Sequence, residues 1–426
     1  MLKSSRFFLG HMTTNIKPTI IFITQLYPFP PDTGGKFKTF GTIKALRDLG
    51  CKIKLFSFWD SRSPFYMKMS KPLKGIESNI IYSSIIDDLH PLYKYWKVFL
   101  SIFSFFPYRV RKFYSKGIIK TIKKDVPNLE NPSIIYLDHL SSCIYLFKNT
   151  PAYYQKIYDA HDFESEIIYH RIRNSKSFIR KIFLYLEYLK LKKFEKKALM
   201  AADKVFAINE PLKLRLETLS SRTVLTSSVA VFGSKSLRLN KNKPEGKRIV
   251  TFIGTLSWEE NLEGIDWFIS KVWGMVKRIV KEAEFNIVGS YGNEKLRKKF
   301  SKYEGVNYLG YKKDLREIYQ QTSVGIVPIF SDSGVKIKFL NFIFNSIPVV
   351  STSMSAAGIL GVKDSVNCFI ADRPEEFAER IITLLQDKKL RTSMVTKGKK
   401  LTSRYYSEKS LREFFKKTLA LSRRSD

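Results

Sequence analysis

Short apolar runs alternate with longer amphipathic segments along this chain, and the alternation begins twice. The first series opens with TIIFIT (Thr19–Thr24) and the second with IVTFIG (Ile249–Gly254). Runs of apolar and β-branched residues of this length are typical of strands that are buried on both faces. Strands that alternate with helices form a parallel sheet covered by helices on both sides. We therefore expect an α/β protein with two Rossmann-like, doubly wound parallel-sheet domains that face a central cleft.

The polar segment NKNKPEGKR lies between the two series and predicts a linker at residues 240–248. At 426 residues the chain is too long for one ordinary hydrophobic core, which also favours two domains. We expect the first domain at residues 17–239 and the second at residues 249–402. Residues 1–16 are predicted to be an extension, and residues 403–426 a helix that packs back towards the first domain.

The net charge of +35 favours an anionic partner, and residues 1–245 carry +23 of it. Nucleic acid, a phosphate-bearing substrate and a lipid surface all meet that requirement. The basic residues are spread along predicted helices, and the sequence has no recognised nucleic-acid-binding module. We therefore expect no nucleic-acid partner.

Three cysteines, Cys51, Cys143 and Cys368, lie far apart in the sequence. Their spacing argues against a disulfide framework or a zinc site and favours a reducing compartment. No apolar run reaches the roughly 18 residues that a membrane span needs. The basic start of the chain lacks the apolar core of a signal peptide. We therefore expect a cytoplasmic protein.

Two loops that follow predicted strands carry residues suited to ligand binding. DTGGKFK places Gly34 and Gly35 after the first strand, where paired glycines let the backbone approach a phosphate closely. YDAHDFESE places His161 after a later strand, where it can contact a sugar hydroxyl or move a proton. His139 in YLDHLSS has a similar but weaker context. The alternatives are a plain tight turn for the glycines and a helix-capping cluster for His161.

The segment SGVKIKFLNFIF follows a predicted strand and begins a predicted helix. Gly334 and the amides after it would form the helix N-terminus, and Lys336 and Lys338 would lie in its first turns. Basic side chains oppose the helix dipole at this end unless an anion is bound there. The pattern predicts a diphosphate site, and solvated lysines on a surface helix are the alternative.

Several motifs of other enzyme classes are absent from the sequence. There is no H-E-x-x-H zinc motif, no G-x-x-x-x-G-K-[ST] phosphate loop and no G-x-S-x-G nucleophile elbow. We therefore expect no metal site and no cofactor.

Taken in order, several motifs resemble those of the retaining GT-B glycosyltransferases of family 4, bacterial enzymes that build surface polysaccharides. The resemblance covers the chain from Thr19 to about Tyr405, and motifs in family order are more specific than any one of them. They are LYPFPPDTGGKFKTFGTIKALRDLG, YDAHDFESE, FIGTLSWEENLEGIDWF, NIVGS, VNYLGYKKDLREIY and SGVKIKFLNFIFNSIPVVSTS.

The resemblance implies a metal-independent, hexosyltransferase-like enzyme. It would move a sugar from a nucleotide-sugar donor (UDP-, GDP- or similar) to a glycan or lipid-linked acceptor, as in lipopolysaccharide synthesis. The C-terminal domain would bind the donor, and the N-terminal domain would bind the acceptor. Retention would proceed by front-face attack, in which the leaving phosphate takes the acceptor proton.

The resemblance also implies roles for individual residues. His161 would contact the donor sugar and is the predicted catalytic residue. Lys338, with Lys336 as the weaker candidate, would hold the phosphates. Other predicted donor-site residues are backbone or helix-start positions, namely Gly34, Gly35, Gly254, Asn261 and Gly334.

One motif departs from the family pattern, which usually carries two glutamates eight positions apart. Ser333 and Asn341 stand at these positions. The second glutamate binds the nucleotide ribose, and asparagine loses its charge-assisted bond, worth roughly 1.5–3 kcal/mol. The change implies weaker donor binding, an unusual donor, or lost activity. The alternative function is therefore a non-catalytic, glycosyltransferase-like partner of a polysaccharide assembly complex.

Two segments suggest contact with a lipid surface. Residues 94–124 interleave aromatic and basic side chains, and the predicted helix around Arg180–Lys197 is also basic. Such surfaces bind anionic lipid. We expect peripheral association with the inner face of the cell membrane, and a buried helix with solvated lysines is the alternative.

Overall fold

The structure is a computed structural model that describes most of the chain. The predicted N-terminal extension, most of the predicted linker and the predicted donor-site residue Ser333 lie outside the described residues. The described residues are 17–29, 31, 33–58, 76–81, 101, 103–125, 133–147, 154–221, 223–227, 229, 248–290, 292–331 and 334–419.

Two parallel sheets organise the described chain. The first contains β1 (Thr19–Leu26), β2 (Lys52–Phe58), β3 (Glu77–Ile81), β4 (Ser133–Asp138), β5 (Gln155–Ala160), β6 (Lys204–Ala207) and β7 (Val224–Thr226). Its strand order is β3-β2-β1-β4-β5-β6-β7, and every pairing is parallel. The lobe built on this sheet is called the first lobe below.

The second lobe is built on a six-stranded sheet. Its strands are β8 (Ile249–Ile253), β9 (Glu284–Val288), β10 (Val306–Gly310), β11 (Val324–Val327), β12 (Val349–Ser351) and β13 (Phe369–Ile370). Their order is β10-β9-β8-β11-β12-β13, again with parallel pairing throughout. The predicted fold class, two doubly wound parallel α/β units, is confirmed.

Helices cover both sheets. Those of the first lobe are α1 (Gly34–Asp48), α2 (Tyr108–Arg111), α3 (Lys116–Asp125), a 3-10 helix (Leu140–Phe147), α4 (Glu164–Asn174), α5 (Phe178–Ala201) and α6 (Glu210–Ser220). The helices that come after β8 in the chain are α7 (Glu259–Trp267), a π-helical turn (Phe268–Trp273), α8 (Gly274–Ile279), α9 (Glu294–Phe300), α10 (Arg316–Gln321), α11 (Ile337–Phe344), α12 (Ser353–Ala357), α13 (Pro374–Gln386), α14 (Lys388–Tyr405) and α15 (Glu408–Thr418).

Strand β1 shows why the apolar runs are continuous. Ile21 and Ile23 belong to one buried cluster, whereas Ile20 and Phe22 belong to another. Successive side chains of a strand point to opposite faces of the sheet. Because helices cover both faces, the first six positions of the strand are buried, and the apolar run Ile20–Ile23 results.

The last helix, α15, packs against the first lobe. Leu411 and Phe415 are fully buried in the same cluster as Phe22, and the Phe415 ring lies 6.3 Å from that of Tyr136. Lys44 Nζ of α1 lies 2.6 Å from Glu408 Oε1. The end of the described chain therefore returns to the first lobe after the second lobe is complete.

No helix in the described parts of the chain combines the length and apolar character needed to cross a bilayer.

Candidate active site

A buried carboxylate lies at the carboxyl end of β4, the middle strand of the first lobe's sheet. Asp138, the last residue of β4, has no exposed surface. It accepts hydrogen bonds from Thr24 Oγ1 at 2.6 Å and Thr39 Oγ1 at 2.8 Å. His139 Nδ1 lies 2.9 Å and His161 Nε2 2.8 Å from its two oxygens. Burial alone would raise the pKa of Asp138, but the two histidines hold that pKa well below its usual value of 3.8.

The two histidines form a close pair whose ring planes are tilted by 31° to each other. Their ring centroids are 3.7 Å apart, and His139 adopts a left-handed backbone with φ of 72°. An ionised Asp138 requires a proton on each ring nitrogen that faces it. In neutral His161 the other nitrogen, Nδ1, is then an unprotonated acceptor, and it has no hydrogen-bond partner among the described residues. Burial opposes a charge on His139, but Asp138 raises the pKa of His139 above 6.5.

The pair lies beside the start of α1, whose first two residues are Gly34 and Gly35, so the structure places these glycines in the helix and not in the loop before it. A Cβ atom on Gly35 would lie 3.4 Å from His139 Nε2 and 3.9 Å from His161 Nδ1. A Cβ atom on Gly34 would lie 3.5 Å from Ile337, the first residue of α11 in the second lobe. The structure thus brings Gly34, Gly35 and His161 together, as expected of one site.

A buried ion pair holds α1 in place beside this cluster. Lys38 and Asp159 have no exposed side-chain surface, and Lys38 Nζ lies 3.0 Å from Asp159 Oδ2. Lys38 also donates to Ser227 Oγ at 2.7 Å, and the Tyr136 hydroxyl donates to Asp159 at 2.5 Å. An unpaired charge buried here would be strongly destabilising. The network therefore fixes the helix that begins with Gly34 and Gly35.

Three predicted donor-site residues meet in the second lobe. Lys338 Nζ donates to Asn261 Oδ1 at 2.6 Å and lies 4.3 Å from the centre of the Phe252 ring. A Cβ atom on Gly254 would lie 2.8 Å from the same ammonium group, so a side chain there would require Lys338 to move. Burial, with Lys336 nearby, lowers the pKa of Lys338 from 10.5 to about 7.

The start of α11 differs from the sequence prediction. The helix begins at Ile337, and Lys336 is its N-cap residue. Gly334 has φ of +54°, a left-handed conformation that cannot continue a right-handed helix and that favours glycine. A Cβ atom on Gly334 would lie 3.6 Å from Asp162 Oδ1 of the first lobe. The two lobes therefore touch where His161 and α11 face each other.

Asn341 lies on α11 between the buried residues Leu340 and Phe342, and it is itself partly exposed. Its amide is therefore not sealed inside the core. The structure does not describe Ser333, which stands at the position of the first family glutamate.

The sequence analysis missed Asp138, Thr24 and Thr39, although one signal was present. Asp138 ends β4, and His161 follows β5, the neighbouring strand. The carboxyl ends of neighbouring parallel strands meet at one edge of a sheet, so the two side chains could have been paired. Asp138, His139 and His161 also offer ligand atoms within 4.8 Å of one another, a spacing that could hold a metal ion. The expected lack of a metal site thus stays a prediction.

Comparison with known proteins gives a family match for the second lobe. Residues 247–387 match the family model of glycosyl transferases, group 1. A Klebsiella pneumoniae protein, described as an uncharacterized 44.6 kDa protein in the cps region, is 25% identical over 374 residues. The matched residues are 85% of this chain and 90% of that protein.

Solved structures match the whole fold. Sucrose-phosphate synthase from Thermosynechococcus elongatus has a TM-score of 0.67 at 13% identity, over 95% of this chain and 100% of that one. Anabaena HepE in complex with UDP and glucose has a TM-score of 0.60 at 12% identity, over 95% of this chain and 99% of HepE. WaaG, a glycosyltransferase involved in lipopolysaccharide biosynthesis, has a TM-score of 0.62 at 10% sequence identity. The match covers 93% of this chain and 99% of WaaG. The chain thus has the two-lobed fold of the GT-B glycosyltransferases, and its second lobe matches the group 1 glycosyl transferases.

Proposed function

We propose that the chain is a retaining glycosyltransferase of family 4 that acts in cell-surface polysaccharide synthesis. It moves a sugar from a nucleotide-sugar donor to a glycan or lipid-linked glycan acceptor. The observation that carries this proposal is the position of Lys338, Asn261 and Gly254 at the start of α11. This cluster belongs to the lobe that approaches Asp162, the residue after His161, at Gly334.

The donor diphosphate would lie against the start of α11. Backbone N–H groups at a helix N-terminus attract anions, and Lys338 and Lys336 add basic side chains there. Gly34, from the opposite lobe, leaves room for the phosphates because it carries no side chain. The UDP and glucose bound by HepE support a donor of this class.

The donor sugar would lie near the histidine pair. His161 Nδ1 can accept a hydrogen bond from a sugar hydroxyl, because Asp138 holds the proton on Nε2. Protonated His139 can donate or stabilise negative charge, which its raised pKa favours. In the retaining mechanism the leaving phosphate takes the acceptor proton, so the chain needs no second catalytic carboxylate.

An assay over a donor panel tests the proposal directly. The full chain is incubated with UDP-, GDP- and dTDP-sugars, and nucleotide release is measured with and without glycan acceptors. We expect release from at least one donor, with the anomeric configuration retained in the product. If every donor binds but none reacts, the non-catalytic assembly partner becomes the better function.

The ribose contact gives a prediction at Asn341. Since Asn341 is partly exposed, Asn341→Glu should fold normally and tighten nucleotide binding by adding a charge-assisted bond, roughly 1.5–3 kcal/mol. Asn341→Leu is the matched control and should weaken nucleotide binding without loss of thermal stability. Calorimetry with UDP and a thermal melt measure both. Unfolding of Asn341→Glu would contradict the ribose role and favour the non-catalytic alternative.

We also propose that the first lobe associates with the inner face of the cell membrane. Helix α5 begins with Phe178 and Ile179, which are 76% and 81% exposed. Phe103 and Phe105 are 78% and 74% exposed, and Lys197 of α5 lies 5.0 Å from the Phe105 ring. Aromatic and apolar side chains among basic ones are typical of interfacial binding. The first part of the segment at residues 94–124 lies outside the described residues.

Vesicle flotation tests the membrane contact. The protein should float with phosphatidylglycerol vesicles at low salt and less at high salt, since each basic residue near the surface contributes about 1 kcal/mol. The double variant Phe178→Ser, Ile179→Ser should reduce flotation. Ile279→Ser is the control, because it removes an apolar side chain that is 59% exposed in the second lobe. This variant should float as well as the wild-type protein. Equal flotation of all three proteins would exclude α5 as the contact.

A further inference from the structure

One carboxylate beside the histidine pair has no bonding partner. Asp162 directly follows His161 and is partly exposed. Within the described part of the chain its side chain makes neither a hydrogen bond nor an ion pair. The nearest carboxylates in the sequence, Asp159 and Glu164, each have a cationic partner, at 3.0 Å and 2.6 Å. Asp162 therefore differs from the carboxylates around it, which hold the fold together.

The Asp162 carboxylate faces the second lobe across the cleft. A Cβ atom on Gly334 would lie 3.6 Å from Asp162 Oδ1. Because glycine has no side chain, nothing from position 334 covers the carboxylate. Gly334 comes shortly before α11, whose start is the proposed site of the donor diphosphate. Asp162 thus lies at the border between the histidine pair and that phosphate site.

The charges around Asp162 come from both lobes. Burial raises the pKa of Asp162 above its usual 3.8, and the neighbouring Glu164 adds to the rise. His161, His139 and Lys336 oppose it. The negative charge of Asp162 is therefore a net cost to the folded protein without ligand. A carboxylate in a cleft that is disfavoured in this way is typical of a functional site.

The chemistry of the site restricts what Asp162 can bind. An ionised carboxylate only accepts hydrogen bonds, so it suits a hydroxyl and repels a phosphate. A cation would be opposed by Lys336 and by protonated His139. His161, 4% exposed, offers a second acceptor, because its Nδ1 has no hydrogen-bond partner among the described residues. Two neighbouring acceptors suit a ligand that carries several hydroxyls, as a sugar does.

We propose that Asp162 is a specificity-determining residue that accepts a hydrogen bond from a hydroxyl of the donor sugar. The sugar lies beside Asp162 and His161, with its diphosphate at Lys338. The inference rests on the proposed glycosyl transfer and names the group that distinguishes a nucleotide-sugar from the bare nucleotide. The hydroxyl offsets the cost of the unpaired carboxylate when the donor is bound.

Calorimetry on the full chain tests the contact with donors and their own nucleotides. The probes are UDP-glucose with UDP, GDP-mannose with GDP, and dTDP-glucose with dTDP. We expect at least one pair to bind the wild-type protein. Asp162→Ala should weaken that nucleotide-sugar about tenfold, equivalent to about 1.4 kcal/mol, and leave the bare nucleotide unchanged. Glu166→Ala is the matched control on α4, where Glu166 pairs with Arg215 at 2.8 Å, and should change neither affinity.

Deoxy forms of the bound donor identify the hydroxyl. The form that lacks the contacted hydroxyl should bind the wild-type protein about tenfold more weakly than the parent donor. Asp162→Ala should bind that form and the parent donor equally well, because the partner of the hydroxyl is already gone. If no deoxy form shows this coupling, Asp162 does not accept a bond from the sugar.

Thermal stability separates this role from a structural one. Asp162→Asn keeps the size of the side chain and removes its charge. Because the folded state raises the pKa of Asp162, the charge favours unfolding above that value, and its removal should raise the Tm at pH 7. The gain should shrink as the pH falls towards 4, where both states hold the proton. A lower Tm of Asp162→Asn at pH 7 would make Asp162 a structural residue and overturn the inference.

The outcomes also separate this inference from the proposed function. If a donor and its nucleotide bind, and Asp162→Ala changes neither affinity or weakens both equally, the sugar contact is overturned while donor binding stands. If no nucleotide or nucleotide-sugar binds, the proposed glycosyl transfer fails, and this inference fails with it.

Discussion

Asp138→Ala should lower the free energy of unfolding by about 3–5 kcal/mol, the usual effect of removing one partner from a buried charged network. The carboxylate accepts bonds from two threonines and faces both histidines, and all four groups would lose their partner. Urea unfolding at neutral pH measures the change. Asp203→Ala is the matched control, because Asp203 makes an exposed bond to the Lys156 amide, and should cost far less.

The effect of Asp138 also depends on pH. Its pKa is lowered in the folded protein, so its stabilisation is present above about pH 4 and is lost as the pH falls. The pKa of His139 is raised, so its stabilisation is present below about pH 6.5 and is lost as the pH rises through the folded value. The difference in stability between wild type and Asp138→Asn should therefore be largest between about pH 4 and 6.5. A difference independent of pH would contradict the charged network.

Loss of Asp138 should impair transfer as well as stability. Without the carboxylate neither histidine is held in its tautomer or orientation, so the proposed contact of His161 with the donor sugar would be lost. Asp138→Asn keeps the size of the side chain and should reduce kcat more than it raises the donor KM. Normal kcat in a folded Asp138→Asn protein would show that the histidine pair has no part in the reaction.

Lys338→Ala should weaken nucleotide binding by about 10- to 150-fold, or roughly 1.5–3 kcal/mol, because a charge-assisted contact to the diphosphate is lost. Lys336→Ala is the control on the same segment and should have a smaller effect. Calorimetry with UDP measures both. Unchanged affinity in both variants would place the phosphate site elsewhere.

The lowered pKa of Lys338 predicts how this binding varies with pH. In the free protein Lys338 loses its proton above about pH 7, whereas a bound diphosphate favours the charged form. Nucleotide binding above pH 7 should therefore take up a proton and weaken as the pH rises. Calorimetry in buffers of different ionisation enthalpy detects the uptake, which Lys338→Met should abolish.

The same residue makes a prediction for stability without ligand. The unfolded chain holds the Lys338 proton up to its ordinary pKa of 10.5, but the folded protein releases it near pH 7. Between these values the unfolded state binds more protons, so this residue makes stability rise with pH. Lys338→Met should remove that rise.

The sequence alone determined the fold class and part of the candidate site. Strands that are buried on both faces are mostly apolar along their length, as in β1 and β8, so their pattern is local and readable. The residues Gly254, Asn261 and Lys338 were each marked by a motif before any contact between them was known. Their convergence in one cluster agrees with that prediction, while their roles in donor binding stay predictions.

Only the tertiary structure decided which distant residues share a contact. Thr24 and Asp138 are 114 positions apart, and Lys338 and Asn261 are 77 apart. Parallel strands are joined by long crossovers, so neighbours in the sheet are remote in sequence. The same holds for Lys38, which is fully buried on Asp159 although the two residues lie far apart in the sequence. The contact at Gly334 joins the two lobes, and no local pattern of residues encodes it.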